Sequence, residues 1–572
     1  MSLKRPVRQI EATGQLSLVD RPVPQQGRQE EEEERSGSEP ARELMFKEGE
    51  PEAIWFGDRS LRTYLQEADL GFAFLIRSLL EDADWSEFEA KYRAGGRPPY
   101  APAVMVGIIL YGLTRGISSL RGLEQLARQD LVCQWVTGGL CPDHATIGRF
   151  INLHAEAIAG PFFEEMTAKI LGCLPEVDRE LSGDGTLIES AASRYKSLKL
   201  EAAEEHAQQA RQKAERYPDD AELAEQADKA EAVAQEVRKR GDRRQKRRHG
   251  KAEETRIHPE DPDAYYHRLK DKRFGYAYVP SILVNRQRMI VAQTVDPARE
   301  IDVVEGEVDQ AKRVIGQIDR LMLDANYFCF DILNMAADQR LDLLCPPPEQ
   351  ASQKQRKKFP KSAFDYDPGT DTCTCPAGET MQRVSEGYDK ELDQHYGYYE
   401  TDACEGCPLR DQCTESARGR RIKRWKDDEL KDAARWVMSQ PQAQETYKQR
   451  NGSVEPVFGE LRHIQGLDRF RRTGTDKVAV EFALHAIAHN LRRLKALMGA
   501  TKEDLCERFG EAGGAIWAYF AHIEWRLHCL RRSYGLDPVV TMDSQLARNY
   551  PMATQPTPAC FETAENRLYF AY

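Results

Sequence analysis

The chain has 572 residues, of which 41% are apolar and 30% are charged, and its net charge at pH 7 is −12. This length exceeds one ordinary domain, so we expect about three to four domains of roughly 150 residues each. The apolar fraction excludes a wholly disordered chain, and the longest apolar stretch, Val104 to Leu113, is about half of what a bilayer requires. No charged segment followed by an apolar one opens the chain, so we expect a cytoplasmic protein without a secretion signal.

The negative net charge, taken alone, argues against a nucleic-acid partner, because binding to the phosphate backbone uses Lys and Arg. The cations are concentrated, however, at residues 238–251, 354–361, 418–426 and 469–472, and the third of these clusters includes Trp425. DNA responds to local patches rather than to the global sum, and basic residues with an interleaved aromatic suit backbone binding. We therefore expect local, salt-dependent DNA binding, with a solvated surface as the alternative for each cluster.

The first part of the chain divides into an arm and a helical domain. Residues 1–50 are rich in Gln, Glu and Pro and predict a mostly disordered acidic arm. Residues 51–175 are patterned as helices, including one from Pro102 through Tyr111, one over Leu120–Asp130 and one capped by Asp143. Three short helices with tight turns suit either a helix-turn-helix-like module or a plain helical packing domain.

The middle of the chain predicts a mixed α/β sheet over residues 176–348, with an insertion over residues 190–262. Within the insertion, Ala/Glu/Lys-rich helical patterns are divided by Tyr217-Pro-Asp-Asp220, which indicates a helical hairpin. A Cys-containing insertion follows over residues 349–440, and helical patterning resumes over 441–498 and again from Thr501 in the carboxy-terminal region 499–572. The predicted strands of the sheet are 181–188, 276–284, 289–295, 320–324 and 341–345, and its helices are 301–318 and 328–339.

Thirteen cysteines without a signal peptide do not indicate a disulfide scaffold. Five of them form two groups in the Cys-containing insertion, and paired cysteines around an intervening stretch suit tetrahedral Zn²⁺. Reduced thiols in a loop are the alternative, although a segment this polar would fold poorly without a metal. Because Cys-Pro-Ala-Gly resembles a zinc-knuckle turn, we predict a closed structural zinc site held by Cys375, Cys404, Cys407 and Cys413, with Cys373 as the alternative ligand.

Three carboxylates occupy positions that a mixed sheet would bring together. Asp184 lies on the first strand, Asp324 at the end of a central strand, and Glu455 at the predicted start of a late helix, where Pro456 fits the first helical position. Three converging carboxylates can bind two divalent ions about 4 Å apart for phosphoryl transfer, and Mg²⁺ prefers such oxygen ligands. Singly, each acid is more simply a solvated or capping residue. The rival Asp302 fits the first turn of a helix.

The residues around the last acid resemble a known family. The segment Tyr447-Lys-Gln-Arg450-Asn-Gly-Ser-Val-Glu455, followed by Arg462, is similar to the Tyr-Arg-Glu-Lys signature of DDE-type insertion-sequence transposases of bacteria, with Arg462 in place of Lys. Other stretches of residues 52–498 resemble the same family in the right order. They are Gly183–Thr186 with Glu189–Ser193, Leu323–Tyr327 with Asn326 where Gly is common, and Pro99–Tyr111, Gly116–Arg121 and Pro142–Ile147.

The resemblance implies an α/β protein whose catalytic core, residues 176–348 and 441–498, is RNase H-like, with an all-α domain over 51–175 for DNA binding or dimerisation. It implies two Mg²⁺ or Mn²⁺ ions as cofactors beside the structural Zn²⁺. The implied metal ligands are Asp184, Asp324 and Glu455, and the implied ligands of DNA phosphates are Tyr447, Arg450 and Arg462. Without the resemblance, a surface helix with ion pairs would explain these last three residues.

The implied activity is that of a transposase. Such an enzyme cuts double-stranded DNA at the terminal inverted repeats of its element and joins the freed 3′-hydroxyl to target DNA. Two ends have to be held together, so a homodimer is expected, in the bacterial cytoplasm near the nucleoid and without a membrane partner. The alternatives are a DNA-binding relative that does not cut, acting as a repressor or structural factor, and a metal-dependent nuclease that does not join strands.

Overall fold

A computed structural model describes residues 44–498, except 69, 94–96, 247–253, 271, 297, 349–357, 390–393 and 426–427. The predicted carboxy-terminal region 499–572, residues 1–43 of the predicted arm, and parts of the basic clusters at 238–251, 354–361 and 418–426 lie outside the described residues. No helix in the described part of the chain is long and apolar enough to cross a membrane.

The end of the predicted arm, residues 44–50, is part of the helical domain. The backbone of Lys47 pairs with that of Tyr100, and the amide of Glu50 donates to the carbonyl of Gly138 at 3.1 Å. A Cβ on Gly49 would lie 2.1 Å from a backbone oxygen, so only glycine permits this approach. The structured chain therefore begins before residue 51, where the sequence predicted its start.

The amino-terminal domain is almost entirely helical, as the sequence predicted. Its most apolar helix, α4, is buried along nearly its whole length and extends to Thr114 rather than ending at Tyr111. Gly112 lies within this helix, and its lack of a side chain lets Leu123 pack closely against it. The side chain of Asp143 caps its helix as predicted. The elements are β1 (Trp55–Phe56), β2 (Arg59–Ser60), α1 (Leu61–Glu67), α2 (Phe72–Glu81), α3 (Ser86–Glu89), α4 (Pro102–Thr114), α5 (Leu120–Gln129), α6 (Leu131–Thr137), α7 (His144–Leu153), α8 (Ala155–Ala157), a π-helical turn (Ile158–Phe162) and α9 (Phe163–Gly172).

A mixed sheet follows, and the predicted α/β class is confirmed. Strand β3 (Glu180–Gly185) pairs antiparallel with β8 (Phe274–Asn285), which pairs antiparallel with β9 (Ile290–Asp296). On its other side, β3 is parallel to β10 (Arg320–Met322), which is parallel to β11 (Leu343–Leu344). Strand β8 is buried over nearly its whole length, as its continuous apolar run requires. The short strands β4 (Ile188–Glu189) and β7 (Tyr265–Arg268) pair with the first half of β8.

Helices cover the sheet near β9. The predicted helix 301–318 is a 3₁₀ turn, Glu300–Val303, followed by α12 (Val304–Ile315). The predicted helix 328–339 is α13 (Phe330–Asp338). On the late helix Thr475–Met498, the side-chain amide of Asn490 bonds both backbone groups of Ile290 at 2.8 Å. These polar contacts fix the buried helix in register against β9.

The predicted helical hairpin is confirmed. Its helices are α10 (Leu200–Arg216) and α11 (Ala221–Lys246), and the predicted divider lies between them. A short pair of strands, β5 (Leu198–Lys199) and β6 (Arg256–Ile257), connects the hairpin to the sheet. Small apolar side chains pack the hairpin against β6, so it is a compact insertion.

The Cys-containing insertion contains a five-stranded antiparallel sheet that the sequence analysis did not predict. Its strands are short or largely exposed, and they lack the apolar alternation by which strands are usually recognised. The elements are β12 (Asp365–Asp367), β13 (Thr372–Thr374), β14 (Thr380–Asp389), β15 (Gln394–Glu400), α14 (Arg410–Cys413) and β16 (Ile422–Trp425), followed by α15 (Asp428–Ser439), α16 (Pro441–His463) and α17 (Thr475–Met498).

The predicted helix start at Glu455 is wrong, because Glu455 lies in the middle of α16. A proline inside a helix leaves the carbonyl four residues earlier without its usual amide donor. For Pro456 that carbonyl belongs to Gly452, and the guanidinium of Arg288, in the β8–β9 turn, donates to it at 3.1 Å. A partner distant in sequence therefore allows the helix to continue through Pro456.

Candidate active site

The three predicted acids lie at one edge of the mixed sheet. Asp184 is the next-to-last residue of β3, and Asp324 follows the neighbouring parallel strand β10 by two residues. Helix α16 crosses β3, where its Arg450 donates to the carbonyl of Gly183 at 2.9 Å. Glu455 is slightly more than one turn further along the same helix. The ends of parallel strands meet at one edge, and α16 adds the third acid there.

The charges of the two other acids act on Asp184. The pKa of Asp184 is raised, first by burial and further by the negative charges of Asp324 and Glu455, whereas the guanidinium of Arg450 opposes the shift. The nearest guanidinium nitrogen of Arg450 lies 3.4 Å from the Asp184 carboxylate. Burial and the two neighbouring carboxylates thus both disfavour the ionised form of Asp184. Such a site favours a further cation.

An open cavity of about 780 Å³ lies against this edge. Its wall includes Asp184 and Glu455, and the cations Lys270 and Arg462 stand beside them. Burial lowers the pKa of Lys270, and the Arg462 charge adds to the shift, while Asp184 and Glu455 oppose it. The cavity thus presents carboxylates and cations side by side, as the binding of a metal-bridged phosphate requires.

Glu300 is a further carboxylate at this cavity that was not predicted from the sequence. Burial raises its pKa to about 7, and the charges of Asp184 and Asp324 contribute to the shift. A Cβ on Gly185 would lie 2.2 Å from its carboxylate, so the glycine after Asp184 makes room for Glu300. No motif marks Glu300, because only the folded sheet brings its 3₁₀ turn beside β3.

The three residues predicted to bind phosphate have different surroundings. Arg450 is buried and bonded to β3, so its guanidinium holds Asp184 rather than facing the cavity. Tyr447 is half-buried and packs with Met322 of β10. Arg462 alone of the three lines the cavity, where it donates to the hydroxyl of Thr186 at 2.6 Å. The geometry therefore favours Arg462 for phosphate contact.

Most described cations of the predicted DNA-binding clusters are bonded within the protein. Arg424 is buried, donates to Asp432 at 2.7 Å and lies 3.8 Å from the ring centre of Tyr366. Arg469 donates to three consecutive carbonyls that begin at Ser190. Most cations at 418–425 and 469–472 therefore stabilise the fold, which their spacing in the sequence does not indicate.

The side-chain chemistry of the two predicted metal sites fits their metals. Among the described residues, no three His, Cys, Asp or Glu side chains stand in an arrangement that could already hold an ion. The acids supply hard oxygen donors, which suit Mg²⁺. The carboxylate of Asp324 accepts from the amide of Asn326, in the 3₁₀ turn Ala325–Tyr327, so this bond constrains its orientation.

Four cysteines line one small cavity in the Cys-containing insertion. The pKa of Cys413 is raised mainly by burial; Arg420 opposes the shift, and the other three thiols add to it. Arg410 joins the loops around them, because it donates to the carbonyls of Cys404 at 2.9 Å and Ala417 at 3.0 Å. Cys373 instead packs in the apolar core of the sheet. The cavity is lined by Cys375, Cys404, Cys407 and Cys413.

Buried Glu307, on α12, makes a testable contribution to stability. Burial raises its pKa to about 8, and Ser281 donates to it at 3.2 Å. Between about pH 4.5 and 8 the unfolded chain releases a proton that the folded chain keeps, so stability falls by about 1.4 kcal/mol per pH unit. Glu307→Gln removes this loss. The difference in the free energy of unfolding between the variant and wild type should therefore shift in favour of the variant by on the order of 3 kcal/mol from pH 5 to pH 8.

Urea unfolding at the two pH values measures this gain. The matched control is Glu305→Gln, which changes an exposed carboxylate on the same helix. A difference between Glu307→Gln and wild type that stays constant with pH would contradict the assignment of a protonated, buried Glu307.

Comparison with protein families gives matches for two segments of the described chain. Residues 374–495, which include Glu455, match a family model described as "Transposase DDE domain". Residues 64–153, in the helical domain, match one described as "Transposase domain (DUF772)". No curated protein gives a significant match to the chain. The two matches occur in the order that the sequence motifs predicted, and both support the resemblance to the DDE-type insertion-sequence transposases.

Proposed function

We propose that the chain cuts DNA at the ends of its own element and joins the freed ends to target DNA, with Asp184, Asp324 and Glu455 as its catalytic carboxylates. The observation that carries this proposal is the position of the three acids at one edge of the sheet, where the charges of Asp324 and Glu455 contribute to the raised pKa of Asp184. Lys270 and Arg462, on the same cavity, add the positive charge that a phosphodiester needs.

The topology of the sheet supports an RNase H-like catalytic core. Strands β3, β8 and β9 are neighbours in the sheet, each antiparallel to the next. On the β3 side the sheet continues with β10 and β11, which are parallel to β3. This is the strand arrangement that the family resemblance implies. In this core the acids occupy the edge at which the parallel strands β3 and β10 end.

The proposed reaction consists of two in-line phosphoryl transfers. In the first, water attacks a phosphorus atom, the bond to the 3′ oxygen breaks, and a 3′-hydroxyl is freed; in the second, that hydroxyl attacks a target phosphorus and displaces another 3′ oxygen. Bound divalent ions would activate each nucleophile and stabilise each leaving oxygen. Asp184, Asp324 and Glu455 would hold these ions. Arg450 orients Asp184, and Arg462 neutralises phosphate charge.

The test is an assay of the purified chain with DNA that carries candidate inverted repeats. We expect nicks at the repeat ends that require Mg²⁺ or Mn²⁺, and joined products with a target plasmid. Cutting without joining would favour a nuclease, and binding without metal-dependent cutting would favour a non-cutting relative.

Because both ends have to react together, we also propose a homodimer, to which the helical domain would contribute DNA or subunit contacts. The proposed location of the protein is the bacterial cytoplasm, near the nucleoid.

We also propose that Cys375, Cys404, Cys407 and Cys413 hold a structural zinc ion. Four thiols around a small cavity match the ligand number of a closed zinc site. Wild type should contain about one zinc ion per chain by metal analysis. The double variant with Cys404→Ser and Cys407→Ser should contain almost none, and protease should cut its Cys-containing insertion faster, because metal binding stabilises such modules.

The matched control for the zinc site is Cys373→Ala, which alters a cysteine of the same insertion that packs in the apolar core. It should keep its zinc even if it lowers thermal stability. Zinc lost equally from both variants would favour the alternative ligand Cys373, and wild type purified without zinc under metal-replete conditions would contradict the site.

A further inference from the structure

A second cavity, of about 730 Å³, lies between the end of the helical hairpin and the first half of β8. It shares Ala298 and Arg299 with the wall of the active-site cavity, so the two spaces adjoin. We propose that this second cavity binds unpaired nucleotides of a DNA strand whose cut phosphate lies at the carboxylates. The inference rests on the proposed function, because it assigns the path of that substrate beyond the site of cutting.

An exposed aromatic pair forms part of the second cavity. Tyr266 and Phe274 are 38% and 53% exposed, and their rings stack with centroids 5.7 Å apart and planes 18° apart. Tyr276, on the buried strand β8, also packs against Tyr266, with centroids 5.3 Å apart and planes 59° apart. Nucleobases stack on aromatic side chains of this kind irrespective of sequence. The pair is therefore a candidate platform for a base.

The charge around the platform suits a phosphate backbone. Among the described residues that line this cavity, six are cationic and two are carboxylates. Arg299 lies 3.5 Å from Asp302, and Arg244 lies 3.4 Å from Glu254, which accounts for both acids. The remaining cations include Lys199 and Arg243, whose side chains are exposed. They provide the excess positive charge that attracts phosphates.

One cation of this cavity has a structural role. Arg240 is buried, donates to the carbonyl of Ala264 at 3.0 Å, and lies 3.8 Å from the ring centre of Tyr265. It therefore fixes the end of α11 against β7, the strand that carries Tyr266. This contact holds the helical hairpin beside the aromatic platform, so the insertion shapes one wall of the site.

The arrangement favours an unpaired strand over a duplex. In duplex DNA the faces of the bases are covered by neighbouring pairs, so an aromatic platform within a cavity can stack only on a base that has left the helix. The volume and the few cations suit a small number of nucleotides. The adjoining carboxylates would then act on a phosphate of the same strand.

The test measures binding by fluorescence anisotropy in EDTA, so that no cutting occurs. The probes are a labelled single-stranded oligothymidylate of about ten nucleotides and a duplex of about 30 base pairs. The double variant Tyr266→Ala with Phe274→Ala should bind the single strand at least about tenfold more weakly and the duplex within twofold of wild type. The single variant Phe274→Tyr keeps an aromatic ring and should bind the single strand as strongly as wild type does.

The chain provides a matched control pair. Phe56 and Tyr64 are 51% and 38% exposed and stack with centroids 6.1 Å apart, in the helical domain. Replacing both with Ala should leave single-strand binding within twofold of wild type. Unchanged single-strand binding by the Tyr266/Phe274 variant, or an equal loss of duplex binding, would overturn the inference. If either result is obtained and the wild-type protein still cuts DNA, the proposed function stands and only the platform is contradicted. If single-strand binding depends on the platform but no metal-dependent cutting occurs, only the proposed function is contradicted.

Discussion

Replacing Asp184 with Asn should lower the rate of metal-dependent strand cutting by at least about 10³-fold while leaving the fold intact. The three carboxylates act as one catalytic unit, so the loss of any one of them should remove most of the activity. Asp324→Asn and Glu455→Gln should have effects of similar size. Without metal, Asp184→Asn should unfold at the same temperature as wild type or higher. The reason is that burial and the neighbouring acids disfavour the ionised carboxylate at neutral pH.

Cutting assays and thermal melts in EDTA measure these two effects together. The control is Glu305→Gln, an exposed carboxylate on α12, which should retain full activity. The combination of lost activity with retained stability separates a metal-binding carboxylate from a structural one. An Asp184→Asn variant that keeps more than a tenth of its cutting rate would contradict the assignment, and one that melts far below wild type would indicate a structural role.

Replacing Arg450 with Ala should destabilise the protein by on the order of 3 kcal/mol and nearly abolish cutting. The buried guanidinium bonds the carbonyl of Gly183 and pairs with Asp184, so its loss leaves both without this partner. Since Arg450 lowers the pKa of Asp184, its loss should also raise that pKa. The acidic limb of the pH profile of cutting should then move to higher pH in any variant that folds.

Arg450→Lys provides the folded variant for this measurement. It keeps a cation but loses the planar guanidinium that can bond two acceptors at once. The control is Lys448→Ala, an exposed cation on the same helix, which should change neither stability nor the pH profile. An Arg450→Lys variant with reduced activity but an unshifted acidic limb would mean that Arg450 stabilises the fold without tuning Asp184.

The sequence predicted those parts of the fold that local patterns determine. Long apolar runs separated by four polar residues predicted the β8–β9 hairpin, and Ala/Glu-rich stretches divided by a proline turn predicted the helical hairpin. Asp184 and Asp324 could be predicted to approach each other, because Asp184 lies near the end of one strand and Asp324 follows another strand of the same sheet. For the two hairpins the information lies within a short stretch of sequence, and for the two acids it lies in where each strand ends.

Other features depend on partners that are distant in sequence. Pro456 indicated a helix start, and only the contact between Arg288 and Gly452 explains why α16 continues through it. Glu300 belongs to no motif and reaches the cavity through the packing of its turn on the sheet. The basic clusters were predicted to face DNA, whereas Arg424 and others are bonded internally. A sequence shows where charges occur but not which of them are already paired.

The central claim is that Asp184, Asp324 and Glu455 jointly hold divalent metal. Fe²⁺ can replace Mg²⁺ at oxygen sites, and with ascorbate and peroxide it generates hydroxyl radicals that cut the nearest backbone. Mass spectrometry of the fragments should locate cuts beside all three acids, suppressed by excess Mg²⁺ and absent in Asp184→Asn. Cuts confined to other parts of the chain, or cuts that persist unchanged in Asp184→Asn, would contradict the claim.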